Sequence, residues 1–233
     1  MKNPPSKARR PTSKVSTRGL APVSRSVSAA ALLVMLAAAF TAGCFVTPKP
    51  LAPQEARAQF VAALDAVGLE KAPALGPVYR EFILAAHDKD YAKNWLLINQ
   101  QSRDALAKEL PQQISGLETL TQKMEDELLR ADISQAARDF YTQSVKEQKD
   151  LAAKLKSFNG DAKKYFILLM EKAAPSYAFS AEILQQMQVT GETIDGPRAT
   201  LNIIHKSIDH PGAIPFTLEN GDWKLDFMET TTR

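Results

Sequence analysis

The stretch Ala199–Phe227, ATLNIIHKSIDHPGAIPFTLENGDWKLDF, decides the fold class. Ala199, Leu201, Ile203 and His205 alternate with Thr200, Asn202 and Ile204, the period of two that a half-buried strand imposes. Ile214, Phe216 and Leu218 repeat the alternation, and Asn220-Gly221 follows. That dipeptide suits a tight hairpin turn, and Trp223, Leu225 and Phe227 resume the pattern on the return strand. Lys224 and Asp226 are expected on the exposed face of this antiparallel sheet. Upstream, Val189–Ile194 reads as a further strand and Asp195-Gly196 as its turn.

Before about Met187 the period is helical. Ala56, Phe60, Ala63 and Leu64 form one stripe, and Val78, Phe82 and Ala85 a second, with a break at Lys71–Gly76 that contains Pro73. Asp90–Ile98 continues in short helices. Ser102 is expected to cap a helical turn through Leu110, and Pro111 to open a long helical region. Leu117, Leu120, Met124 and Leu128 stripe that region, and Asp132 with Gln135 reads as a capping box that restarts the helix. Ile133, Ala137, Phe140, Ser144, Leu151, Leu155 and Phe158 then hold a near-heptad register up to a stop at Asn159-Gly160. The two segments read as an antiparallel helical hairpin packed within its own chain. Asp161 begins another helix that ends before Pro175. The class is α+β: N-terminal helices and a helical hairpin, then a C-terminal antiparallel sheet of three to four strands.

Charge is unevenly distributed. The formal net charge is +3, but Lys2, Lys7, Arg9, Arg10, Lys14, Arg18 and Arg25 fall in the first 25 residues with no acid among them. Removing those seven from the 29 Lys and Arg leaves 22 against 26 Asp and Glu, so the remainder is mildly acidic. It carries no basic footprint for nucleic acid. Residues Ser26 to Pro48 carry no charge, and Ala29–Phe40 (AAALLVMLAAAF) is an unbroken apolar run. Its length suits the core of a signal peptide and is short for a membrane-spanning helix of about 20 residues. Thr41-Ala42-Gly43 supplies small residues before Cys44, the single cysteine of the chain. One cysteine excludes an intramolecular disulfide and any multi-cysteine metal site.

This arrangement resembles the lipobox of bacterial lipoproteins, with Thr41 where that family usually carries Leu. The resemblance implies cleavage between Gly43 and Cys44 and lipidation of Cys44. Residues 1–43 would be the signal peptide and 44–53 the lipidated cysteine and a proline-rich tether. An uncleaved N-terminal anchor is the alternative. Phe45, where an Asp would retain the protein elsewhere, implies sorting to the outer membrane, facing the periplasm.

Two further phrases, Tyr79–Leu106 (YREFILAAHDKDYAKNWLLINQQSRDAL) and Glu192–Phe227, resemble the NTF2-like superfamily, in particular its small bacterial envelope members. The resemblance implies a curved sheet folded around helices into a cone, often with a pocket. It implies one domain over residues 54–233, in which the hairpin at about 110–158 is an insert.

No HExxH, paired-cysteine, phosphate-loop or GxSxG motif is present, and neither a metal nor a cofactor is expected. His87, with Asp88, stands where a helix ends; the pair is either a cap or an acid–base couple. Tyr91 and His205 are the other pocket candidates, although Tyr91 with Trp95 reads as core, and His210-Pro211-Gly212 as a loop. Three functions follow as expectations. The first is a non-enzymatic envelope lipoprotein that binds a small ligand or a protein partner at the membrane surface. The others are an NTF2-like enzyme using His87 or His205, and an assembly factor working through the hairpin.

Overall fold

The computed structural model describes residues 52–173, 180–206 and 210–230. Seven helices come first: α1 (Pro53–Asp65), α2 (Gly76–His87), α3 (Tyr91–Leu97), α4 (Gln100–Leu128), α5 (Gln135–Lys156), α6 (Ala162–Ala173) and α7 (Ala181–Gln186). Strands β1 (Met187–Asp195), β2 (Arg198–His205), β3 (His210–Glu219) and β4 (Asp222–Leu225) follow, then a short α8 (Phe227–Thr230). The α+β class and the order of helices before sheet are as the residue periods predict.

The strands form an open antiparallel meander in the order β1-β2-β3-β4. Asn220 and Gly221 turn β3 into β4 with φ of 52° and 90°, the two left-handed positions that this dipeptide supplies. In the ladder Ala199 stands opposite Phe216 and Leu201 opposite Ile214. These four residues, with Val189 and Leu225, form the buried face. They meet Phe60 and Leu64 of α1, Phe82 and Ile83 of α2, and Phe166 of α6 in one core. The far edge of β4 is covered: Ile98 forms a parallel bridge with Leu225, and the Asn99 N–H donates to the Leu225 carbonyl at 2.9 Å. The β1 edge is held where the Val189 N–H donates to the Val67 carbonyl at 2.8 Å, next to a bulge between Val189 and Gly191.

The start of α2 explains two residues. A Cβ built on Gly76 would lie 2.4 Å from the Leu69 carbonyl oxygen, so only glycine lets the 3-10 turn at Leu69–Lys71 pass this closely. Glu192, reaching from β1, accepts the backbone N–H groups of Ala74 (3.2 Å) and Leu75 (2.9 Å). A carboxylate is favoured at this helix N-terminus, and it ties α2 to the sheet.

Several local expectations are corrected. Helix α4 starts one turn earlier than Ser102, with Asn99 as its cap accepting from the Ser102 N–H at 2.8 Å. It then runs through Pro111 without a break. Proline removes an intrahelical donor, but Leu106 and Leu110 before it and Ile114 and Leu117 after it pack on the same core. Ser134, not Asp132, caps α5; Asp132 pairs with Arg130 at 2.9 Å. On α4 the inward residue is Thr121 and not Leu120, and the Thr121 hydroxyl is satisfied on the Leu117 carbonyl at 2.8 Å. Ala56 is exposed, one turn beyond the core. Phe140 is exposed, and Asp226 is buried.

The hairpin is antiparallel as expected, joined by Glu118–Lys156 (2.5 Å), Glu125–Lys149 (2.6 Å) and an Arg138 bond to the Leu128 carbonyl (3.0 Å). Its contribution to the core ends at Leu117 on α4 and starts again at Leu151 on α5. Residues 118–150 therefore stand off the core as an arm, about 16 Å long from the 11 helical residues of its first limb.

Candidate functional site

Cys44 and Gly43, with the whole leader and the greater part of the tether, lie outside the described residues. Among the described helices none is long and apolar enough to cross a membrane.

His87, Asp88 and Tyr91 lie at the corner between α2 and α3. His87 is the last residue of α2; Lys89 then takes φ of 59°, and Asp90 caps α3 by accepting the Lys93 N–H at 3.1 Å. The His87 ring is stacked on Phe60 of α1. Asp88 turns to α1 as well: Arg57 donates to its two carboxylate oxygens at 3.0 and 2.8 Å. That fork, with its positive charge, holds the Asp88 carboxyl below the usual carboxylate range. Tyr91 is buried, and burial together with Glu171 pushes its hydroxyl up. The three candidates are thus neighbours along the chain with separate partners. Asp88 has its two oxygens committed to a guanidinium, an arrangement suited to clamping α1 rather than to taking protons.

His205 closes β2, opposite Met187 in β1 and His210 in β3. The next residue, Lys206, is fastened to the end of α7, its N–H to the Gln186 carbonyl at 2.7 Å and its ammonium to the Gln185 carbonyl at 3.0 Å. His205 is therefore placed with α7, whereas His87 and Asp88 are placed with α1. Among the described residues no three His, Cys, Asp or Glu side chains come together as a metal site.

A polar cluster that the alternation pattern misses joins α4, β3 and α8 around Asp226, the residue between β4 and α8. The Asp226 carboxylate accepts the Ser102 hydroxyl at 3.3 Å and the Glu229 N–H at 3.0 Å. Ser102 Oγ in turn accepts the Met228 N–H at 3.2 Å. Asn99 is fully buried and donates to the Thr217 hydroxyl at 3.3 Å. The signal was available: Asp226 with Glu229 has the spacing of a helix cap. Trp95 rests on Phe166 at 5.6 Å, with the Arg103 guanidinium 5.4 Å from its centroid, so the core reading of Trp95 holds.

Among the described residues the most exposed large apolar side chains lie elsewhere. Leu129 at the end of α4 is 85% exposed and Phe140 of α5 is 64% exposed, both on the distal part of the arm. Leu120, on the same arm, is exposed at 41%. These apolar side chains stand open on a limb that adds nothing to the core.

Comparison with protein-family models, with curated proteins and with solved structures finds no match for this chain.

Proposed function

We propose that the chain is a non-enzymatic bacterial envelope lipoprotein, held at the membrane by lipid on Cys44, that acts by binding a protein partner through its helical arm. The observation that carries the binding role is the arm itself: residues 118–150 add nothing to the core, yet present Leu129 and Phe140 to solvent. The basic leader, the apolar run Ala29–Phe40 and the small residues before Cys44 support the anchor. Acyl chains on one residue would give stable attachment, since two or more hydrophobic signals are needed for it. The engagement of Asp88 by Arg57 speaks against an acid–base couple with His87. An NTF2-like body then serves as the scaffold from which the arm projects, facing the periplasm from the outer membrane.

Mass spectrometry of the mature N-terminus tests the anchor. The expected species starts at an acylated Cys44, and Cys44→Ser moves the protein to the soluble fraction. An intact Met1 or a free Cys44 thiol in the membrane-bound protein would refute it. Replacing residues 118–150 by a short loop tests the arm: the body is expected to keep its fold and to lose its co-purifying partner.

A further inference from the structure

We infer that the partner offers a basic protein surface, an apolar recess rimmed by lysine or arginine that receives the tip of the arm; this rests on the binding role proposed for the arm. Residues 125–140, which carry Leu129 and Phe140, hold five carboxylates against two arginines. Arg130 pairs with Glu127 and Asp132 at 3.0 and 2.9 Å, Glu125 pairs with Lys149 at 2.6 Å, and Arg138, the one remaining cation of the stretch, donates to the Leu128 carbonyl. Asp126 and Asp139 accept from the amides of Gln122 and Gln135, at 3.0 and 2.8 Å, and among the described residues neither forms a salt bridge. The tip therefore carries exposed apolar side chains together with an excess of carboxylates over arginines. Complementary charge is what steers and selects a partner for such a surface.

Two other occupants fit less well. A second copy of the chain brings 22 Lys and Arg against 26 Asp and Glu downstream of its leader, so it has no excess of positive charge to offer. An anionic lipid surface repels the carboxylates, and the attraction it exerts is for lysine and arginine.

The experiment places a photo-reactive benzoylphenylalanine at Phe140 in the full-length chain and cross-links it in the cells that make it. The expected product is an adduct with another protein, whose cross-linked peptide lies beside lysines or arginines. Its yield is expected to fall about tenfold in Asp126→Lys/Asp139→Lys, and likewise in washed membranes at about 0.5 M salt. Circular dichroism confirms the fold, both aspartates being exposed. A protein adduct indifferent to charge reversal and salt overturns the basic partner and leaves the binding role of the arm standing. An adduct with lipid or with a second copy, or no adduct, overturns both.

Discussion

The ring of His87 lies flat on the ring of Phe60, with centroids 3.7 Å apart and planes 10° from parallel. Phe60 is almost wholly buried in the core, so the last side chain of α2 is pinned to the middle of α1. An aromatic ring of any kind can fill this place. His87→Phe is therefore expected to keep the thermal midpoint of the parent, whereas His87→Ala loses about 1 kcal/mol. Calorimetry of the two variants decides it: a large loss in His87→Phe would show that the imidazole nitrogens matter more than the ring.

At the same corner, Arg57 and Asp88 supply a pH dependence. The Asp88 carboxyl is held below its unfolded value by the Arg57 hydrogen bonds and charge. Its contribution is therefore complete above the unfolded pKa of about 4 and is lost as pH falls through the depressed folded value. Asp88→Asn removes this component. Unfolding followed between about pH 5 and pH 2 should show a steeper acid decline in the parent than in the variant; parallel curves would count against the clamp. The pair is largely exposed, so the difference is expected to be small.

Gly76→Ala is expected to be among the most damaging single substitutions. The added carbon meets a backbone oxygen at 2.4 Å, which cannot swing aside as a side chain would. A loss of about 3 kcal/mol follows from overpacking at such a point, read as a lower urea midpoint. Gly116→Ala, where a Cβ meets nothing within 4 Å, is the control and is expected to hold or gain stability slightly.

Asp226→Ala removes the cap of α8 and leaves the Ser102 hydroxyl and the Glu229 N–H without their acceptor in a buried place. The expected cost is about 2 kcal/mol, against a smaller one for Asp226→Asn, whose amide oxygen can still accept from Glu229. Equal losses in the two variants would mean that charge, rather than hydrogen bonding, holds the cluster.

The residues that sequence reading placed well are those whose surroundings repeat along the chain. Ala199, Leu201, Ile214 and Phe216 follow strict alternation because one face of the sheet is buried throughout, and Asn220-Gly221 announces its own turn. The errors arise where a contact is made at long range or where a rule is carried one residue too far. The alternation that places Lys224 does not carry on to Asp226, because β4 ends at Leu225 and parity stops with it. Pro111 reads locally as a helix start, and only the packing of its neighbours on a distant core keeps α4 whole. Leu120 outranks Thr121 by hydropathy, yet Thr121 is the buried one, its hydroxyl satisfied by the carbonyl four residues back. At the candidate sites, the partners of His87 and Asp88 lie about thirty positions upstream on α1, with no local mark to announce them. The exposure of Phe140 is equally invisible, since its spacing fits the stripe while the arm has nothing to cover it.

The bonds from Val67 to Val189 and from Ala74 and Leu75 to Glu192 also set a timetable. The earliest of the described helices are completed by strands more than a hundred residues later in the chain. Until those strands arrive, Phe60, Leu64, Phe82 and Ile83 have no sheet to cover them, and a growing chain carries them uncovered. A polypeptide built this way stays unfinished while it is being made, which is the condition in which a chain can still be threaded through a narrow channel.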